Sequence, residues 1–194
     1  MSTWYFQKAL WKPFVYQGAT YELAHLNEYQ FSVIDTDAME RCIVVSFSDH
    51  CFTRDHEAND EPALIYPESS RNPGVFSLDR YRHSLNIVGH IANAAKGKVW
   101  NASRYHGYQD NFAAIPTVDN EGRSVLYAII FSLERSSKDV PVDLHMRIRS
   151  AYPCDQKPIP TFGEVRFSKL VALCMKGKTP VRITEPTRKK PRLS

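Results

Sequence analysis

The stretch VDLHMRIRSAYP, residues Val142 to Pro153, alternates apolar and polar side chains along a predicted β-strand. Successive side chains of a strand point to opposite faces, so one face is apolar and the other carries Asp143, His145, Arg147 and Arg149. Arginine donates fixed hydrogen bonds to oxyanions, and histidine exchanges protons near neutral pH. The polar face is therefore a candidate surface for an anionic substrate; its alternative role is the hydrated side of a half-buried sheet.

A predicted helix within residues 77–98 supplies further candidates. Arg80, His83 and His90 recur there at helical spacings, so they project to one side. The motif SRYHGYQ adds Arg104 and Tyr105 on a polar, aromatic loop. If the helix and the polar strand face border one cleft, that cleft contains His, Arg and Tyr with few acids. A solvated helix face and an ordered loop explain the same residues without a site.

This set of side chains suits metal-independent cleavage of an RNA phosphodiester. A histidine can take the 2′-hydroxyl proton or protonate the leaving 5′-oxygen, and arginines can stabilise the charge that accumulates on the non-bridging oxygens. Tyrosine can donate a hydrogen bond or stack on a base. The sequence contains no glycine-rich phosphate loop, no Gly-x-Ser-x-Gly motif and no His-Glu-x-x-His motif, which argues against nucleotide hydrolases, serine hydrolases and zincins.

The segment SDHCFTRDH carries side chains that can bind metals: Asp49, His50, Cys51, Asp55 and His56. Their spacing matches no familiar zinc pattern, and a core strand that ends in a loop explains them equally well. We therefore predict no metal and no cofactor. The four cysteines are scattered without a Cys-x-x-Cys pair, which indicates reduced thiols.

Positive charge is concentrated at the C-terminal end. The net charge is +4, and seven Lys or Arg against one acid place +6 in residues 176–194, which leaves −2 for residues 1–175. The final segment TRKKPRLS is too polar to fold alone, and Lys189 and Lys190 within it are candidates for phosphate contacts. No run approaches the roughly 18 apolar residues that span a bilayer, so we expect a cytoplasmic protein without membrane contact.

The elements that must position these residues predict an α+β fold. We expect a single domain over residues 1–183, with a β-rich part at 1–49, a long loop at 50–74, and a helix, meander and C-terminal helix at 75–183; residues 184–194 form a disordered basic tail. The core is a twisted, mainly antiparallel sheet with a C-terminal three-stranded meander and two packed helices. A strand that is apolar on both faces, SVLYAIIFSLE, should be central, and Pro116 favours an edge position for the strand before it.

Two patterns define the helices. In the first helix Ser77 is the expected N-cap, and an apolar stripe predicted to pack on the core consists of Leu78, Tyr81, Leu85, Val88, Ala92 and Ala95. Gly89 is expected to bend or shorten this helix. The second helix should bury Phe167, Leu170, Val171 and Cys174 and close at Gly177.

The helix followed by a meander and the motif RSAYP resemble the barnase, EndoU, colicin and RelE-like group of small metal-independent ribonucleases of phages and mobile elements. The resemblance covers about residues 77–155. It implies roles for Arg149, Ser150 and Tyr152, with His83 or His145 as the acid–base group. It also requires that the strand end or bulge near Arg149, because regular alternation would place Ser150 and Tyr152 on the apolar face.

The hypothesis from sequence is therefore a metal-independent, toxin-like ribonuclease that binds RNA and has a protein inhibitor as a further partner. Its catalytic candidates are His83, His145, Arg149 and Tyr152, and its substrate-binding candidates are Arg80, Arg147, Arg104, Tyr105, Lys189 and Lys190. The alternative is a non-catalytic nucleic-acid-binding or regulatory accessory protein of a mobile element.

Overall fold

The protein is described from a computed structural model that covers residues 11–67, 74–105, 108–118, 122–137, 140–154 and 163–178. Within these ranges the fold is α+β, as the sequence predicts. The predicted tail, with Lys189 and Lys190, lies outside the described residues. No helix in the described ranges is long and apolar enough to cross a membrane.

A seven-stranded sheet forms the centre of the molecule, in the order β11-β7-β8-β9-β10-β4-β3. Its strands are β3 (Tyr29–Ile34), β4 (Glu40–Phe47), β7 (Lys98–Tyr105), β8 (Tyr108–Val118), β9 (Ser124–Arg135), β10 (Leu144–Cys154) and β11 (Glu164–Arg166). Two small two-stranded antiparallel sheets accompany it and pair β1 (Phe14–Tyr16) with β2 (Ala19–Tyr21) and β5 (Thr53–Arg54) with β6 (Val75–Phe76). The predicted meander is confirmed as β8, β9 and β10, and the doubly apolar strand β9 is central.

Neighbouring strands of the seven-stranded sheet run antiparallel except β4 and β10, which are parallel. Asp143 fixes the start of this pair, because its carboxylate accepts a hydrogen bond from Cys42 N at 2.8 Å and its N–H donates to Cys42 O at 3.0 Å. Arg41 connects that carboxylate, at 3.6 Å, to the buried Asp35 in the β3–β4 turn, at 2.9 Å. Burial opposes the charge of Asp35, but hydrogen bonds from Arg41, Met39 N and Asp37 N outweigh it and lower the pKa.

The edge position expected for the strand with Pro116 is wrong, since β8 lies between β7 and β9. Pro116 pairs with Leu126 of β9, whereas the β7 partners of β8 lie between Tyr108 and Phe112. Proline is thus tolerated because it lies beyond the part of β8 that pairs with β7, where no ladder N–H is needed on that side.

The part of the chain that the structure describes contains three α-helices, α1 (Leu78–Ser84), α2 (Ile87–Ala95) and α3 (Phe167–Met175). Ser77 caps α1 by accepting a hydrogen bond from Arg80 N, as predicted. The first predicted helix breaks after Ser84 and not at Gly89. The Ser84 hydroxyl donates to Tyr81 O at 2.7 Å and lies 2.8 Å from His25 Nε2, so it competes with the helical backbone hydrogen bonds at this turn.

The stripe predicted for the first helix is wrong in part: Tyr81 and Ala95 pack against the core, but its other large apolar residues do not. Leu78, Leu85 and Val88 are exposed, and Leu85 keeps 50% of its surface. The buried side carries Ser84, Ile87 and Ile91, with Ile87 fully buried, and this is the side on which His83 and His90 lie. In α3 the prediction is confirmed, with Phe167, Leu170 and Val171 buried in the core and Cys174 packed against it.

A matched pair of substitutions tests this orientation. Ile87→Ala removes a fully buried side chain and is expected to lower the free energy of unfolding by about 2–4 kcal/mol. Leu85→Ala removes an exposed side chain and is expected to change it by less than about 0.5 kcal/mol. Urea unfolding followed by circular dichroism measures both; a larger loss for Leu85→Ala than for Ile87→Ala would contradict the assignment.

Candidate active site

Strand β10 contains a β-bulge at Arg149. Ile148 pairs with Phe131 of β9, and Ser150 pairs with the next residue Ile130, so Arg149 is the extra residue. The bulge shifts the alternation by one, and Ala151, not Ser150, is the next fully buried residue after Ile148. Ser150 and Tyr152 thereby leave the apolar parity, as the motif RSAYP required.

Ser48 holds the bulge in place. Strand β4 ends at Phe47, and Ser48 N donates to Ile148 O at 2.9 Å. The Ser48 hydroxyl donates to Arg149 O at 2.6 Å. Both carbonyls on this side of the bulge are therefore bound by one residue, which links the extra residue Arg149 to the short 3-10 turn Asp49–Cys51 that follows.

A cavity of about 350 Å³ opens between this turn and the polar face of β9 and β10. Its lining residues all carry polar side chains and are Ser48, Asp49, His50, Ser132, Glu134, Arg147 and Arg149. Strand register brings the members together, because Arg147 lies directly across from Ser132 on β9 and beside Ser46 on β4. Two guanidinium groups, two carboxylates and one imidazole thus share a space of the size of a small ligand site.

His145 lies on the same face, next to this cavity. Its partner across β9 is Glu134, and directly opposed side chains have Cβ atoms about 4.5–5.5 Å apart. Its Nε2 lies 2.7 Å from Ser46 Oγ, and Ser46 is almost completely buried. The imidazole is therefore fixed to β4 at one nitrogen and placed beside a carboxylate that lines the cavity.

Arg80 and Tyr152 meet where α1 approaches the far end of β10. The guanidinium carbon of Arg80 lies 5.2 Å from the centroid of the Tyr152 ring, within the range of a cation–π contact. Arg80 also donates to His50 O at 3.0 Å and to Thr53 O at 2.7 Å. The structure thus brings the helix candidate Arg80 to the turn that carries His50, and Tyr152 lies beneath it.

His83 does not join the cleft with His145, contrary to the expected common site. Its ring stacks on Tyr127, with centroids 5.4 Å apart, and His90 lies 5.7 Å from the same tyrosine. Tyr127 has the parity of Ile129 on the face of β9 that the helices cover, whereas the partner of Arg147 has the opposite parity. The sheet therefore separates His83 from the polar face, because the helix turns its histidines inward.

Residues that the sequence hypothesis left out of the site are Ser48, Asp49, His50, Ser132 and Glu134. Ser132 and Glu134 alternate at the end of β9, and pairing that end against HMRIR in β10 could have identified them. The backbone of Arg104 and Tyr105 belongs to β7, but their side chains lie outside the described residues.

The metal-capable side chains around His50 do not form one group. Cys51 points into the core and is fully buried, and burial raises the pKa of its thiol to about 12. Asp55 and His56 are exposed. Among the residues that the structure describes, no three His, Cys, Asp or Glu side chains are grouped so that they could hold a metal ion.

The stability of the protein should depend on pH through His90. Burial lowers the pKa of His90, and the neighbouring His83 lowers it further. The unfolded chain, with a histidine pKa of about 6.5, therefore takes up a proton before the folded chain does, so the free energy of unfolding should fall as the pH drops from about 7 to 5. Burial lowers the pKa of His25 as well, so it contributes in the same direction.

Urea unfolding at several pH values between 7.5 and 5 measures this dependence. His90→Gln should flatten the decrease, because glutamine takes up no proton, and the contribution of His25 should remain. Substitution of the exposed His56 by glutamine is the control and should leave the slope unchanged. An unchanged slope in His90→Gln would contradict the assignment.

Comparison with known proteins gives a family for this architecture. The model of the YjaZ family matches residues 13–175, which begin just before β1 and end with α3. No curated protein and no solved structure matches the chain. The matched region contains the turn after β4 and the bulged strand β10, which both border the cavity. Because the match covers far more than half of its residues, the chain belongs to the YjaZ family.

Proposed function

We propose that this protein is a metal-independent ribonuclease with the polar cavity as its active site. The observation that supports this proposal is the convergence of Arg147 and Arg149 with His50 and two carboxylates on a cavity of about 350 Å³. Groups that bind an oxyanion and groups that move protons are then adjacent, as phosphodiester cleavage without a metal requires. The active-site histidine that lines the cavity is His50, with His145 in a supporting position.

The proposed reaction is an internal transfer at phosphorus. Glu134 accepts the proton of the ribose 2′-hydroxyl, and the 2′-oxygen attacks the adjacent phosphorus. The bond from phosphorus to the 5′-oxygen breaks, and the leaving oxygen takes a proton from the protonated imidazole of His50. The products are a 2′,3′-cyclic phosphate and a free 5′-hydroxyl, and the proton gained by Glu134 returns to His50 through solvent. His145, opposite Glu134, supports the carboxylate as it changes charge.

Arg147 and Arg149 bind the non-bridging oxygens in this scheme. As the 2′-oxygen attacks, negative charge accumulates on those two oxygens, and a guanidinium offers several N–H donors in a fixed plane. The two arginines lie two residues apart on β10, Arg149 at the bulge, and both line one cavity. Removal of one well-placed donor to a developing oxyanion costs roughly 100- to 1,000-fold in rate.

The first test uses purified protein, RNA and EDTA. We expect the protein to cleave RNA. A substrate with a 2′-deoxy nucleotide at the scissile position should stay intact, because it lacks the nucleophile. His50→Ala should reduce kcat/KM at least about 100-fold, since it removes the proton donor. The matched control His56→Ala removes an exposed histidine six residues away and should retain activity within about 2-fold.

The second test separates arginines in the cavity from arginines elsewhere. Arg147→Ala should lower kcat/KM about 100-fold or more, whereas Arg166→Ala, an exposed arginine on the edge strand β11, should have little effect. Equal losses for the two variants would indicate general attraction of RNA to positive charge and would contradict the assigned site.

The non-catalytic alternative predicts a different result. Wild-type protein would retard RNA without forming product, and its affinity would fall steeply with salt. Deletion of residues 188–194, which hold most of the C-terminal positive charge, would flatten that dependence. RNA that stays intact with EDTA over a range of pH values rejects the ribonuclease proposal and favours this alternative.

A further inference from the structure

Arg80 holds the turn that carries His50. One guanidinium nitrogen, Nη1, donates to His50 O at 3.0 Å and to Thr53 O at 2.7 Å. These two carbonyls lie on either side of the point where the 3-10 turn Asp49–Cys51 passes into β5. A single side chain from α1 therefore connects the middle of the turn to the start of β5.

Arg80 is half-buried, and burial lowers the pKa of its guanidinium because removal from water disfavours the charged form. The charge of the exposed Asp55 opposes this shift. The two carbonyl dipoles and the face of the Tyr152 ring, at 5.2 Å, also stabilise the cation. An ion pair would fix one partner, whereas this arrangement fixes two segments of backbone and an aromatic ring at once.

Other contacts hold the two ends of the turn but leave His50 to Arg80. At the start, Ser48 is bound to the bulge in β10. At the end, the Thr53 hydroxyl donates to Asp49 O at 2.9 Å, and Ser77 N donates to Phe52 O at 2.9 Å. The His50 carbonyl accepts a hydrogen bond from Arg80, and His50, an exposed residue, is part of the cavity lining.

We propose that Arg80, stacked on Tyr152, is a positioning residue that fixes His50 in the cavity. Arg80 acts through the His50 backbone and does not itself touch the substrate. The inference rests on the proposed function for its catalytic consequence, but the position of His50 can be measured without any activity. Lysine is not equivalent to Arg80, because its ammonium is a compact, strongly hydrated charge without the planar face that a guanidinium lays on the Tyr152 ring.

The direct test is NMR of the histidine ring C–H groups in the full-length protein. Arg80→Lys and Tyr152→Leu should both shift the His50 signal from its wild-type position, while the His56 signal stays unchanged. Tyr152→Phe keeps the ring beneath the guanidinium and should keep the His50 signal of the wild type. Two disruptive variants are included so that one remains if the other fails to fold. An unchanged His50 signal in a folded disruptive variant overturns the proposal.

Kinetics supply the second test. Arg80→Lys should lower kcat roughly 10- to 100-fold and leave KM within about 3-fold, as expected for a misplaced catalytic group. In a His50→Ala background, Arg80→Lys should cause no further loss, whereas its effect should persist in an Arg147→Ala background. A raised KM and an effect that adds to that of His50→Ala would show instead that Arg80 binds the phosphate, and would overturn the positioning role.

Failure of the ribonuclease proposal can be distinguished from failure of the link between Arg80 and His50. If the wild type leaves RNA intact while Arg80→Lys still displaces the His50 signal, the ribonuclease proposal fails and the link from Arg80 to His50 stands. If RNA is cleaved and Arg80→Lys changes neither the His50 signal nor kcat, the link fails and the ribonuclease proposal stands. A loss of stability without a displaced His50 signal would show a purely structural role for Arg80 and would also reject the link.

Discussion

The parallel pairing of β4 with β10 is the constraint on which the site depends. It ends at Phe47 and Ile148, and beyond that point β10 continues without β4 beside it. The chain that leaves β4 can therefore turn across the edge of β10, where Ser48 binds the carbonyls of Ile148 and Arg149. A longer β4 would pair with residue 149 and remove the bulge. The cavity exists because β4 ends at Phe47, whereas β10 continues beyond their last pair to Cys154.

Helix α1 holds the turn after β4 through Arg80, and this depends on which face of α1 and α2 is buried. A conventional amphipathic helix would bury its leucines, but α1 and α2 bury Ile87 and Ile91 and turn the side with His83 and His90 toward Tyr127. This rotation also directs Arg80 to the carbonyls of the turn. The exposed Leu85 is the cost of that orientation. The hydrophobic pattern of this segment does not decide which face is buried, because its polar side chains have specific partners within the fold. The leucines have no comparable partners among the described residues.

Strand alternation, the meander, the central β9, the Ser77 cap and the buried face of α3 follow from patterns within single segments, and the sequence predicts them. Prediction failed where two segments decide together. The edge position of Pro116 was wrong because the extent of β7 pairing cannot be read from β8 alone. The buried face of the first helix was only partly correct, since Tyr81 packs on the core but Leu85 does not, because the partners of this helix, Tyr127 and the turn after β4, are distant in sequence. For the same reason Arg147 and Arg149 were identified from β10, whereas Glu134 and His50 were missed.

The charge balance of the cavity explains why such a site can occur on a body with a net charge of −2. Arg147 and Arg149 face Asp49 and Glu134, so the lining is electrically neutral while the imidazole is neutral. A purely basic groove would attract any polyanion through long-range forces that salt screens. A balanced lining binds little by net charge and discriminates by where its donors point. Geometry then decides function, and the geometry is set by one extra residue in β10 and by the serine that holds it.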